Sequence, residues 1–548
     1  MKRWSQQFLR AALGLAAVGA MSQGVFAQEI APPPQDRVDA VTGLIGDRLT
    51  AKPAKARRVL VFWRCEGFVH RDSIAIGNKA LEIAAQKTRA FAVDFADGYE
   101  ALKPENLKKY DALVLNNTTG LKTDTPENAY IEPALLDFVR SGKGLTVIHG
   151  GADNFNKSDV CAEMVGGHFW GHPWGAGGTW AFTLEEPDHA VAATSLKTLG
   201  AKYKLGDEIY QHKSPAYNRA KLHVLLSLDL SDPETAGAKG QTRDDKDFAV
   251  SWVRPYGKGR VFYTSYGHDH RAWTQKATLQ HILDGLQYTL GDLQADDTPA
   301  GLSAADLARI KGAADDTDYV KAFGFLQDIL ANTGVAKVDA ANVAKLQALL
   351  KDPAITAYGK KAVLRALIAV NAPAADIPTI SALLNDKDAA AFATQLLAGT
   401  PGKAASDALA AALKAAPADG KTSLLNALAI RKESAAIVPY LADPTAAVAQ
   451  AALAALGRVG DKTALDALAK PAAPALEDTR LTALAATLGT LADDGQARAA
   501  AKIAQAVFKD TQAAPGLRAA AARALLAADK DFFATGVKDP SPIGRGAV

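Results

Sequence analysis

The spacing of apolar positions changes character near residue 290. Before it, short aliphatic runs alternate with stretches of helical periodicity. The runs are Val59-Leu60-Val61-Phe62, Ala112-Leu113-Val114-Leu115 and Leu145-Thr146-Val147-Ile148; helices are expected from about Ser73 to Lys87 and from about Ala129 to Ser141. This alternation predicts βαβ units, and strands apolar at nearly every position belong to a sheet covered on both faces. Phe248 to Val253 and Arg260 to Thr264, joined by Tyr256-Gly257-Lys258-Gly259, predict a hairpin, and a helix from about Gln275 to Leu290 closes the region. Beyond it the pattern is helical throughout, punctuated by turns such as Lys351-Asp352-Pro353, Asn385-Asp386 and Asp443-Pro444. Turn residues recurring at roughly 30 to 34 residues indicate stacked helical repeats. The expected architecture is a doubly wound α/β sheet followed by an all-α helical-repeat solenoid.

Composition sharpens this division. All ten histidines lie between His70 and His281, and both cysteines and six of the seven tryptophans fall within residues 57–290. Residues 301–548 are alanine-rich and contain no His, Cys, Trp or Met. Residue types that commonly do chemistry are therefore confined to the first half. The chain opens with Lys2 and Arg3, an apolar run from Leu9 to Ala20 and the small-x-small sequence Val25-Phe26-Ala27. This is the pattern of a secretory signal cleaved after Ala27, and the apolar run is too short to span a bilayer. The expected organisation is a signal peptide over 1–27, a flexible lead-in over 28–56, an α/β domain over 57–290, a linker over 291–303 and helical repeats over 304–548. The mature chain is expected in the periplasm or secreted, without a membrane span. With 62 basic against 59 acidic residues and no basic tract after the signal, nothing suggests a nucleic-acid footprint. A small neutral or weakly charged molecule fits better. Whether Cys65 and Cys161 pair cannot be read from their spacing.

Polar clusters begin or end elements where an α/β sheet places its site. They are Gly67 to Ser73 around His70, His149-Gly150-Gly151, Gly166 to Trp174 with His168, Trp170 and His172, Asp207-Glu208, and Tyr266 to Trp273 with His268 and His270. His149 follows four strand residues and precedes two glycines, so its side chain should emerge at the carboxyl edge. His70 is as well placed to hydrogen-bond near the following helix start, with Ser73 as its cap. His168 and His172 are four apart, but the surrounding glycines and Pro173 argue for a loop rather than helical metal-ligand spacing. His268 and His270 fall to one side if extended. His149, His268, Asp207 and Glu208 are the candidate acid–base groups. His70, His270 and the rings of Trp170, Trp174 and Trp273 are the candidate substrate contacts. Imidazoles with a carboxylate suit zinc, so His149, His168 and His172 are candidate ligands of a divalent metal.

Together these clusters resemble the trehalose-utilisation (ThuA-like) family, whose fold is a flavodoxin-like sheet of the class I glutamine-amidotransferase type. The resemblance rests on Gly67-Phe68 with His70 and Ser73-Ile74, the strand-to-His149 turn, Gly166-Gly167 through His172-Pro173, Asp207-Glu208, and Tyr263-Thr264 through Gly267-His268-Asp269 to Trp273. Arg71 is an extra residue in the first element. Glutaminases of this fold carry a nucleophilic Cys on the strand–turn–helix elbow; here that position reads Ile148-His149-Gly150, so glutaminase activity is not expected. The resemblance implies carbohydrate metabolism, with a disaccharide or 3-keto-sugar derivative as substrate and a lyase, hydrolase or isomerase reaction by His/carboxylate chemistry. The helical half resembles HEAT-type repeats. The alternative is a non-catalytic glycan-binding module whose solenoid docks a protein partner; an enzyme needs several ionisable groups within hydrogen-bond reach of one another, and a binder does not.

Overall fold

The computed structural model describes residues 29–155, 158–330 and 332–530. The expected signal and its cleavage point lie outside the described residues. The chain divides into two compact units, the first ending at Pro299 and the second beginning at Ala300. No helix among the described residues is long and apolar enough to cross a membrane.

In the first unit the aliphatic runs become strands: β1 (Arg58–Phe62), β2 (Ala92–Ala96), β3 (Ala112–Asn116), β4 (Gly144–Ile148), β5 (Trp180–Leu184), β6 (Lys202–Leu205), β7 (His223–Leu228), β8 (Ala249–Tyr256) and β9 (Gly259–Thr264). They form one sheet in the order β2-β1-β3-β4-β9-β8-β7-β5-β6. The segment from β2 to β9 is parallel, and β8, β7, β5 and β6 extend it antiparallel. Alternate residues of one strand serve different cores: Val59, Val61, Ala112 and Val114 pack on one face, Leu60, Phe62, Leu113 and Leu115 on the other. That is why these strands are apolar at every position. Helix Arg71–Thr88 buries Ile76, Ala80, Leu81, Ile83 and Ala84 against the first face, and helix Ile131–Arg140 covers the second. Helix Lys276–Leu290 follows the β8–β9 hairpin.

Two local expectations change. Ser73 does not cap its helix: the N-cap is His70, and the Ser73 hydroxyl lies inside, donating to the Gly267 carbonyl. The start of the expected linker is tied to the α/β unit, because His189 Nε2 meets the Asp296 carbonyl at 2.8 Å, His223 Nδ1 meets that of Thr298 at 2.9 Å, and Tyr288 donates to Asp297. Cys65 and Cys161 are both buried thiols and do not pair with each other.

The second unit is all helical. Helices Asp316–Ile329, Ala357–Ala369, Ala390–Gly399, Ala418–Ile430, Ala446–Val459, Glu477–Asp493 and Pro515–Ala528 pack each against the next, with the intervening helices forming a second layer. Small side chains permit the close approach: a Cβ on Gly457 would lie 2.9 Å from the Ala483 Cα of the neighbouring helix.

Candidate functional site

The strand order brings the carboxyl ends of β1, β3, β4 and β9 side by side. The chain turns from β1 outward to β2 and returns to β3 on the other side. Loops diverge at such a switch point and leave room for a ligand. His70 follows β1, Asn116 and Asn117 end β3, His149 ends β4 and His268 follows β9.

His149 occupies the elbow itself, with φ 44°, left-handed backbone that few non-glycine residues adopt. Ile148 is in register with Thr264, so the next residues meet beyond the sheet, and His149 Nδ1 lies 2.6 Å from the Ser265 carbonyl. A carbonyl oxygen only accepts, so Nδ1 carries a proton, and the neutral imidazole in this tautomer presents a lone pair at Nε2. That Nε2 is buried and has no hydrogen-bond partner. Tyr210 packs over the ring at 4.2 Å between centroids.

Around this lone pair gather His70, His268 and Glu208, each offering one ligating atom, all within 4.8 Å of one another. The three imidazoles stand edge to face, with centroids 4.9 Å (His70–His149), 5.2 Å (His70–His268) and 5.4 Å (His149–His268) apart. Glu208 Oε1 lies 3.8 Å from His149 Nε2, and Oε2 lies 3.7 Å from His268 Nε2. These separations are too long for hydrogen bonds. They are close to the roughly 3.4 Å between neighbouring ligands of a tetrahedral shell with bonds near 2.1 Å. His70 Nδ1 and His268 Nδ1 are also buried without a hydrogen-bond partner, the latter 3.8 Å from Asp269 Oδ2. Converging, unpartnered imidazole nitrogens beside a carboxylate fit a divalent cation of the zinc type.

The electrostatics agree. Burial, reinforced by the neighbouring imidazoles, pushes His70 down to about 2, so it is neutral and free to ligate. Burial pushes Glu208 up, but the surrounding His149, His268 and His172 outweigh it and hold the carboxyl below its ordinary value. Burial pulls His268 down, and Asp269, Glu208 and Asp207 more than reverse this.

Of the expected site residues, the structure brings His70, His149, His268 and Glu208 together. His70, expected as a substrate contact, stands in the ligand set. His172 touches that set only from outside, with Nδ1 3.5 Å from Glu208 Oε2 and its side chain half exposed. His168 is buried elsewhere, its backbone paired with Lys213, and is not among the converging groups. The group that could hold a metal is therefore His70, His149, Glu208 and His268, which keeps His149 of the three expected ligands and leaves His168 and His172 outside it. Asp207 is fully buried and spends both carboxylate oxygens on backbone N–H groups. His270 pairs with Asp72 at 2.8 Å near the surface. Trp174 and Trp273 offer no face to a ligand: Trp174 packs on Phe248 and donates to the Thr235 carbonyl, and Trp273 donates to Ser73 Oγ. Both were apolar enough to be drawn into the core. Trp170 remains 43% exposed. Sequence reasoning missed Asn117, Ser265 and Tyr210. The polar run Asn116-Asn117-Thr118-Thr119 directly after an apolar strand was the available signal for the first; a carbonyl such as that of Ser265 has none.

No protein of curated function matches this chain. Among solved structures, a ThuA-like protein from Bacteroides uniformis is 19% identical, covering 45% of this chain and 96% of its own, with a TM-score of 0.36. One from Parabacteroides merdae is 18% identical, covering 44% and 93%, with a TM-score of 0.34. Residues 58–289, the sheet with its histidine cluster, match the ThuA family model, described as trehalose utilisation.

Proposed function

We propose that the α/β unit is an enzyme acting on an oxidised carbohydrate, a disaccharide or 3-keto-sugar derivative, by carboxylate and imidazole proton transfer at a divalent-cation site. The carbohydrate class comes from the family match over residues 58–289. The observation that carries the chemistry is the convergence on one carboxylate of three imidazoles, two of which, His70 and His149, are buried with a nitrogen left unpartnered. In this reading His70, His149 and His268 hold the cation, which when bound supplies Lewis-acid stabilisation of charge developing on the substrate oxygen. His149 is held in the ligating tautomer by the Ser265 carbonyl, a second-shell arrangement typical of metal-binding imidazoles. A ketone acidifies the adjacent C–H bond. Glu208, ionised beside two of the imidazoles, accepts that proton while the C–H electron pair becomes a carbon–carbon double bond and the C=O π pair moves onto oxygen, giving an enolate.

The deciding experiment is turnover of a 3-keto-glycoside panel by the full chain, with and without chelator, alongside elemental analysis. Chelator-sensitive turnover, with solvent deuterium entering at the carbon beside the ketone, is expected. Turnover indifferent to both chelator and Glu208→Gln would remove the reading.

We further propose that the mature protein begins at Gln28 in the periplasm, on the pattern of the first 27 residues, and that the helical unit is a HEAT-type surface for a protein partner. Intact-mass measurement of exported protein tests the first. Recovery of unprocessed chain from the cytoplasm would sink it.

A further inference from the structure

Asp207 and Glu208 are adjacent, yet their carboxylates do different things. Asp207 lies in the bend that follows β6. Glu208 faces the imidazoles, while Asp207 faces the backbone that carries them. Its Oδ1 accepts from the Glu208 N–H at 2.8 Å and the His268 N–H at 3.3 Å, and its Oδ2 accepts from the Gly267 N–H at 2.9 Å. Two of these three amides belong to members of the histidine–glutamate cluster. The Gly267 peptide is gripped from its other end too, its carbonyl accepting from Ser73 Oγ at 2.5 Å and from Asn117 Nδ2 at 3.1 Å. Gly267 has φ +122°, and a Cβ there would stand 2.8 Å from Ile148 Cγ2. The turn that launches His268 is therefore fixed by Asp207 from one side, Ser73 and Asn117 from another, and the end of β4 beneath.

We infer that Asp207 is a positioning residue that sets the separation of Glu208 and His268, with Ser73 and Asn117 as its counterparts across the Gly267 peptide, and that it exchanges no proton with substrate. The inference rests on the cation reading of the cluster. Both oxygens of Asp207 are already engaged by backbone donors, so the group has no face left for a ligand; what it supplies is the geometry of two residues that do.

The test is zinc affinity of the full chain by competition with a chromophoric chelator, and the visible spectrum of the cobalt-substituted form. Asp207→Asn replaces an acceptor by an amide N–H₂ that opposes the backbone donors. It is expected to weaken zinc by about 10- to 100-fold, as loss of a supporting partner does, and to alter the cobalt spectrum. A merely structural role would lower the melting temperature of the metal-free chain and leave the cobalt spectrum of the folded protein unchanged; that result overturns the inference. Should Asp207→Asn not fold, Ser73→Ala removes one hydroxyl from the same peptide and is expected to weaken zinc in the same direction by a smaller factor, with unaltered affinity again overturning the proposal. If the unsubstituted chain binds no zinc, the cation reading and this one fall together. If the chain and both variants bind it equally, this one falls alone.

Discussion

The two units handle buried polarity in opposite ways. In the helical unit polar side chains finish turns and cap helices: Thr356, Asp376 and Asp461 cap locally, and Lys311–Asp352, Lys360–Asp386 and Lys421–Asp443 each tie a helix to a turn. Among its described residues, Asn342 Nδ2 is the buried side-chain nitrogen left without a hydrogen bond. The α/β unit leaves such atoms on His70, Thr125, His149, His212, Arg254, Tyr263 and His268, and three of these, His70, His149 and His268, belong to one cluster. An unpaired buried polar group costs about 1–3 kcal/mol. A fold that tolerates several together is holding them for a ligand or a reaction, whereas alanine packing only has to hold itself.

The largest separation of the two regions should come from removing one imidazole. His149 is completely buried and packs against Tyr210, so His149→Ala would lose packing as well as chemistry. His149→Asn is the cleaner variant, since Asn tolerates left-handed backbone. It should abolish zinc retention and lower turnover by about 10²- to 10⁴-fold, with the helical unit's unfolding transition unmoved. Zinc retained at full stoichiometry would show that the elbow histidine is not a ligand.

The converse change belongs in the helical stack. Leu456 is fully buried in helix Ala446–Val459, between helices Ala418–Ile430 and Glu477–Asp493. Leu456→Ala should destabilise that unit by about 2–5 kcal/mol through the cavity it leaves. Calorimetry should show the loss in the helical transition alone, with zinc affinity of the α/β unit unchanged. A parallel shift of both transitions would show the units unfolding as one.

Strands β1, β3, β4 and the β8–β9 hairpin were legible because burial on both faces writes a continuous apolar run. Strand β6, with residues Lys202 and Lys204 exposed at the sheet edge, leaves only alternation over four residues, too short to read. Boundaries moved by a residue or two, as at Arg71 and Ile131. In the site, His149 was visible from strand, histidine and glycines in succession, and His268 from a similar context. The identity of the fourth partner was not visible: His70 and His168 each sit in a glycine-containing loop, and only the fold decides that one turns into the cluster and the other away. Likewise nothing in the sequence separates the neighbouring carboxylates Asp207 and Glu208, and their different roles follow from the bend after β6, which sets Asp207 on backbone amides and Glu208 on the imidazoles. Trp174 and Trp273 resembled ligand-stacking rings for the same reason they are core residues, since a large apolar ring satisfies either use.

Acid sharpens the comparison by a smaller amount. Burial pushes His70, His212 and His281 down to about 2, 3 and 4, from an ordinary value near 6.5. Below pH 6.5 the unfolded chain takes up protons that the folded unit refuses, so stability is full above that value and falls as the pH drops. Each such histidine contributes about 1.4 kcal/mol per pH unit. His268, raised by its carboxylate neighbours, and Asp284, pushed up to about 6 by burial, take up protons in the folded unit and offset part of this. The helical unit has no histidine. Between pH 6.5 and pH 5 the melting temperature of the metal-free α/β unit should fall while that of the helical unit stays level; equal slopes would contradict the assignment.

The smallest expected effect is that of removing the helical unit altogether. All four converging groups, the Ser265 carbonyl that orients His149, and the Asp207, Ser73 and Asn117 contacts that hold Gly267 lie within residues 58–289. The hydrogen bonds from His189 and His223 secure the chain as far as Thr298. A fragment ending at Pro299 keeps every one of these, and no residue after Ala300 has an imidazole or thiol to lend. Zinc affinity and the cobalt spectrum of residues 29–299 should therefore equal those of the full chain. An appreciably weaker fragment would mean that the helical unit takes part in building the site, and would undo the division between a region that performs chemistry and one that only packs.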